Sequence, residues 1–120
     1  MKILVVDDSA AMRMMVKRML KTAGFSGHEV VEAEDGAVAL GKIKEDTPDL
    51  VLSDYNMPNM TGMELLQAIK AEDIKTNFGF VTTESTADMR NQVMEAGAQF
   101  LIAKPFTEES VTEALSPFVQ

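Results

Sequence analysis

Short apolar runs alternate along the chain with longer stretches in which apolar residues recur at helical spacing. Ile3 to Val6 is a continuous apolar run of the buried-strand type. Met12, Met15, Val16, Met19, Leu20 and Ala23 then recur every three or four residues, with Arg13, Lys17, Arg18 and Lys21 on the opposite face. Gly24 stops that helix. Val30 and Val31 predict a second strand, Ala39, Leu40 and Ile43 a second helix that ends before Pro48, and Leu50 to Leu52 a third strand. After a loop with Pro58, Thr61-Gly62-Met63-Glu64 reads as a capping box that opens a third helix, with Leu65, Leu66 and Ile69 inward. Phe78 to Val81 predicts a fourth strand, and Met89, Val93 and Ala96 a fourth helix that stops at Gly97. Phe100 to Ile102 predicts a fifth strand. Thr107 caps a last helix, with Glu108 and Glu109 in the first turn, where the helix dipole favours acids. Val111, Leu115 and Phe118 face inward.

Five strands alternating with five helices predict an α/β fold with a parallel sheet covered on both faces. Right-handed crossovers reduce the topologies to few, and the expected one is flavodoxin-like and doubly wound, with strand order 2-1-3-4-5. The 120 residues suit one domain spanning 1–120. Without cysteine there is neither a disulfide nor a thiolate metal site. No apolar run approaches the ~18 residues needed to cross a membrane, and Met1-Lys2 leads directly into the first strand, so a cytoplasmic protein without a membrane partner is expected. A net charge of −8 argues against nucleic acid, whose phosphates it repels, and is compatible with a bound cation. The ten methionines are expected mostly in the core, with some available to a partner surface.

In such a sheet, ligands gather beyond the carboxyl ends of the strands, where the strand order reverses. Asp7 and Asp8 follow strand 1, Asp54 follows strand 3, Thr82 and Thr83 end strand 4, and Lys104-Pro105 follows strand 5. Alone, each has a plainer reading: a helix cap, a turn residue, a strand threonine, a surface lysine. Together they bring three carboxylates from adjacent strands to one place, where they repel one another unless a hard cation intervenes. Mg2+ suits one or two carboxylates plus phosphate oxygens, and a hydroxyl and an ammonium opposite it suit a tetrahedral anion. That is a phosphoryl-transfer arrangement with a carboxylate as acceptor.

At these residues the chain resembles the response-regulator receiver family, in its single-domain chemotaxis (CheY-like) form. The carrying motifs are Leu4-Val5-Val6-Asp7-Asp8-Ser9, Asp54-Tyr55-Asn56-Met57-Pro58 with Thr61-Gly62, Val81-Thr82, and Lys104-Pro105-Phe106. The resemblance implies a phosphorylation-activated switch rather than an enzyme with a separate substrate. Asp54 is then the phosphoacceptor, with Thr82 the switch hydroxyl and Lys104 the partner of a phosphoryl oxygen. The metal ligands are Asp8, Asp54 and the Asn56 carbonyl, with Asp7 acting through water, and the Lys104-Pro105 bond is cis. The implied phosphodonor is a histidine kinase (CheA-like), and the implied output is a changed face of helix 4, strand 5 and helix 5. That face is then read by a flagellar motor switch protein or met by a phosphatase. With the chain ending at Gln120, output is expected by protein contact or by passing the phosphoryl group on. Asn56 and Glu84, two residues beyond Asp54 and Thr82, imply a short-lived phosphoryl group.

Three features depart from the chemotaxis form. Leu101 stands three residues before Lys104, where the family usually carries an aromatic residue. Arg90 is the only base near the start of helix 4. Glu108, Glu109 and Glu113 make helix 5 acidic. These leave open a receiver in another two-component pathway or a phosphorelay intermediate. Three other readings compete. An aspartyl phosphatase of the haloacid-dehalogenase type wants its nucleophile after strand 1. A flavodoxin-like cofactor binder wants a Ser/Thr/Gly loop there, which two aspartates spoil. A receiver-fold scaffold without phosphorylation wants a broken acidic site. His28, the single histidine, is expected in a solvated loop.

Overall fold

The computed structural model describes residues 1–25, 27–83, 86–104 and 106–118. Five strands and five helices alternate: β1 (Lys2–Val6), α1 (Ala10–Thr22), β2 (Glu29–Ala33), α2 (Gly36–Glu45), β3 (Leu50–Ser53), α3 (Gly62–Ala71), β4 (Asn77–Thr82), α4 (Ala87–Glu95), β5 (Phe100–Ala103) and α5 (Glu108–Leu115). The strands form one parallel sheet in the order β2-β1-β3-β4-β5, as the alternation predicts. The expected cis bond at Lys104-Pro105 and the role expected of Glu84 fall on positions 84 and 105, which lie outside the described residues.

Successive side chains of a strand point to opposite faces, and this divides the core in two. Leu4, Val6, Val51, Phe78, Phe80 and Leu101 pack with Ala39 and Ile43 of α2, Leu65, Leu66 and Ile69 of α3, and Val93 of α4. Ile3, Val5, Leu50, Leu52, Val81, Phe100 and Ile102 pack on the other face with Val16 and Leu20 of α1 and Val111 and Leu115 of α5. Phe118 closes that face, its ring centroid 5.5 Å from that of Phe100. Because both faces are covered, the central strands β1 and β3 read as nearly unbroken apolar runs. No helix is long and apolar enough to cross a membrane among the described residues.

The helices start and stop on identifiable chemistry. Ser9, Asp35, Thr61, Thr86 and Thr107 each accept a hydrogen bond from a backbone N–H one turn into the helix they cap. The Thr61–Glu64 box is reciprocal, as its sequence predicts, and Thr107 forms a second reciprocal pair with Ser110. Gly24 and Gly97 follow α1 and α4 at φ of 93° and 110°, a conformation that costs glycine least.

Two expectations need correction. Only Met57 of the methionines is fully buried; Met14 and Met15 on α1 and Met94 on α4 are exposed. The apolar stripe of α1 centres on Val16 and Leu20, so Met15 falls outside it while Met12 and Met19 flank it half-buried. His28 is half-buried rather than solvated, and its Nδ1 is enclosed with no hydrogen-bond partner among the described residues.

Candidate functional site

The carboxyl ends of β1 and β3 lie side by side, with Val6 in register with Ser53. The next residues, Asp7 and Asp54, therefore leave the sheet together. The Asp54 N–H donates to the Val6 carbonyl at 2.9 Å, and the Asp7 N–H to the Ala33 carbonyl at 3.1 Å, so the ladder holds both backbones past the last strand residue. One carboxylate oxygen from each of Asp7, Asp8 and Asp54 lies within 4.8 Å of the others. Asp7 is buried, Asp54 partly buried and Asp8 exposed, so the cluster opens to solvent on the Asp8 side.

Lys104, one residue past β5, reaches into this cluster. Its Nζ lies 3.0 Å from Asp7 Oδ2 and 3.6 Å from Asp54 Oδ2, and its side chain is only 8% exposed. Of the two carboxylates, Asp7 is its nearer partner. The Lys104 N–H donates to the Thr82 carbonyl at 2.8 Å, which ties the lysine to the end of β4. Thr82 is buried at that strand end. Asn56 is exposed in the loop that follows Asp54.

Several supports were not visible as motifs. The Tyr55 N–H donates to Asp54 Oδ1 at 2.7 Å, and the Ser9 N–H donates to Asp7 Oδ1 at 2.9 Å. The Arg13 guanidinium donates to the Asp7 carbonyl, and at its other edge pairs with Glu32 of β2 at 2.9 Å. These bonds aim the carboxylates before any ligand arrives. Only the local Asp-Asp-Ser order hinted at one of them, since a short acidic side chain often bonds the backbone two residues on.

Burial raises the Asp54 pKa above the usual carboxylate value; nearby Lys104 opposes this and the negative Asp7 adds to it. Ionised Asp54 is thus held at a cost. The group favours the folded state while protonated, and that contribution is lost as pH rises from the ordinary carboxylate range through the raised folded value. In the absence of divalent cations, Asp54→Asn should therefore melt higher than the parent at pH 7. The difference should shrink toward pH 4, and thermal melts across that range check it.

A hard divalent cation fits the donor set. Three carboxylate oxygens converge, one lysine balances only part of their charge, and the open side leaves room for water and a further anionic ligand. The neighbouring surface of α4, β5 and α5 holds a groove of about 570 Å³ whose walls include Arg90, Met94, Thr107 and Glu113. Leu101 lies on the same sheet face as Thr82, in register with Phe80, and is buried in the core. Phe100 faces the opposite way, so it does not replace the missing aromatic.

Residues 3–116 match the family described as response regulator receiver domain. The chain is 42% identical to the chemotaxis protein CheY of Bacillus subtilis over 115 residues, covering 96% of this chain and 94% of that protein. It is 36% identical to the chemotaxis protein CheY of Pseudomonas aeruginosa over 117 residues, covering 96% and 93%. Among solved structures, the chemotaxis protein CheY4 of Vibrio cholerae superposes with a TM-score of 0.85 at 35% identity, covering 98% of each chain. Fold, strand-end chemistry and these likenesses agree: the chain belongs to the response regulator receiver domain family and is a phosphorylation-dependent signalling domain of the CheY-like kind.

Proposed function

We propose that the protein takes a phosphoryl group onto Asp54 from a phosphohistidine of a CheA-like histidine kinase, with Mg2+, and signals within a chemotaxis pathway. The observation that carries this is the convergence of Asp7, Asp8 and Asp54 within 4.8 Å under the Lys104 ammonium. In the transfer, an Asp54 carboxylate oxygen bonds to phosphorus as the phosphorus–nitrogen bond to the donor imidazole breaks. The electron pair stays on the imidazole nitrogen, which is then protonated from solvent. The Tyr55 N–H holds one Asp54 oxygen, so the other is aimed as the nucleophile.

Asp8, Asp54 and the Asn56 carbonyl would hold the cation, with Asp7 acting on it from its buried position. When bound, that cation supplies neutralisation of the charge on the transferring group. Lys104 sits between Asp7 and Asp54 and is within easy reach of an oxygen added to Asp54. Thr82, buried at the adjacent strand end, would donate its hydroxyl to another. Because the Lys104 N–H bonds the Thr82 carbonyl, movement at either is felt by both β4 and β5. The α4–β5–α5 groove is the surface that would read this change. Relatives named for chemotaxis support the pathway. The acidic α5 and buried Leu101 point to a reading partner different from one that needs an exposed aromatic and basic helix 4. A motor switch protein or a phosphatase remains a partner to test on that face.

Beryllofluoride, a mimic of a carboxyl-bound phosphoryl group, tests the pocket without turnover. The chain has one tyrosine and no tryptophan, and Tyr55 adjoins Asp54. Beryllofluoride with Mg2+ should change Tyr55 fluorescence saturably, and neither component alone should produce the same change. A flat titration with both present would refute the assignment.

A further inference from the structure

The loop that carries Asp54 and Asn56 is anchored at its far end by a contact that the phosphorylation chemistry does not require. Asp35 caps α2, its Oδ1 accepting the Val38 N–H at 2.9 Å. Its second oxygen, Oδ2, accepts from the Asn59 side-chain amide, also at 2.9 Å. Asp35 is 6% exposed, so this is a sheltered carboxylate shared between a helix cap and a loop. The Val38 N–H and the Asn59 amide together hold its pKa below the usual carboxylate value. Asn59 adopts φ of 67°, a left-handed conformation that asparagine tolerates better than most residues.

A second contact runs beside the first. The Gly36 N–H donates to the Met60 carbonyl at 3.3 Å, and a Cβ on Gly36 would lie 2.7 Å from that oxygen. Nearer the chemistry, the Gly62 N–H closes the loop onto the Tyr55 carbonyl at 2.9 Å. The loop is thus held at both ends: at Asp54 by the sheet, and at Asn59 and Met60 by the start of α2. Asn56 lies between the two anchors, with no strand or helix of its own to set its backbone.

We infer that Asp35 and Asn59 form a latch that positions the Asp54–Thr61 loop for cation binding. They are positioning residues: neither belongs to the carboxylate cluster, and they act through the loop that presents Asn56. The inference rests on the reading of the acidic pocket as a Mg2+ site. The specificity lies in the pair's polarity, one acceptor at the cap of α2 and one donor on the loop, at a bonding distance of 2.9 Å.

Mg2+ titration by calorimetry tests this, with thermal melts in parallel. Asn59→Gly keeps the left-handed backbone and removes the donor; Asp35→Ser keeps a good helix cap and removes the carboxylate. Each should weaken Mg2+ binding by about tenfold, the scale at which outer partners tune a metal site. Combining them should add little, because both break one contact. Asn59→Asp alone sets two carboxylates against each other and should lose more. The exchange Asp35→Asn/Asn59→Asp restores the bond with its polarity reversed and should recover most of the affinity. A purely structural role would lower the melting temperature but leave the Mg2+ dissociation constant unmoved. Single variants within about twofold of a Mg2+-binding parent, or an exchange that recovers nothing, overturn the latch. A parent that binds no Mg2+ overturns the reading of the pocket and the latch with it.

Discussion

Asp54→Asn is expected to abolish phosphoryl uptake from acetyl phosphate, by roughly three orders of magnitude or more, the scale on which loss of a nucleophile is felt. An amide keeps the shape of the carboxylate, and its oxygen still accepts the Tyr55 N–H. It lacks the charge that makes the oxygen a nucleophile. The neighbouring carboxylates do not substitute easily. Asp7 is buried, with one oxygen bonded to the Ser9 N–H and the other to Lys104. Asp8 is exposed and comes from β1 rather than from the loop beside Thr82. Because the replacement relieves a buried charge, the variant should be folded and no less stable than the parent, so the loss is chemical. Uptake within tenfold of the parent would move the acceptor elsewhere.

The second large effect is structural and falls on the same loop. Gly62→Ala should destabilise the protein by about 3 kcal/mol, the upper end for forcing extra volume into a packed site. A Cβ at Gly62 would lie 2.2 Å from the Asp54 carbonyl oxygen and 2.7 Å from the Phe80 ring. Backbone yields there only by straining two hydrogen bonds, because the Asp54 N–H is tied to Val6 and the Gly62 N–H to Tyr55. Relief must come from moving α3 away or tilting the Asp54 peptide. The variant should therefore lose phosphoryl uptake beyond its loss of stability, measured at a temperature where it remains folded. Gly41→Ala is the control. A Cβ there meets nothing within 4 Å, and in mid-helix the change should be neutral or stabilising by about 0.5–1 kcal/mol. Equal effects at the two glycines would contradict the packing account.

The order of elements was legible because strands buried on both faces leave continuous apolar runs, and because Thr61, Thr107, Gly24 and Gly97 mark helix ends chemically. The convergence of Asp7 and Asp54 was legible for a related reason. In a parallel sheet, residues that follow neighbouring strands leave at the same edge, so Asp7 and Asp54 emerge where Val6 pairs with Ser53. What the sequence did not disclose depends on contacts between segments far apart in the chain. Met15 satisfies the helical spacing of α1, yet the packed stripe runs through Val16 and Leu20. Periodicity cannot say where the edge of a stripe falls to within one residue. The preference of Lys104 for Asp7 depends on where a long side chain ends, which strand order alone does not set. The Asp35–Asn59 bond joins residues 24 apart, and each has an ordinary local explanation as a cap or a turn residue.

The proposed switch turns on one covalent event, the arrival of a phosphoryl group on Asp54. Incubating the parent protein with acetyl phosphate and Mg2+, then locating the added group by mass spectrometry of its peptides, tests that event directly. The expected result is a single phosphoryl group, dependent on Mg2+, on the peptide that contains Asp54. A group found on any other residue, or none under conditions where beryllofluoride binds, would contradict it.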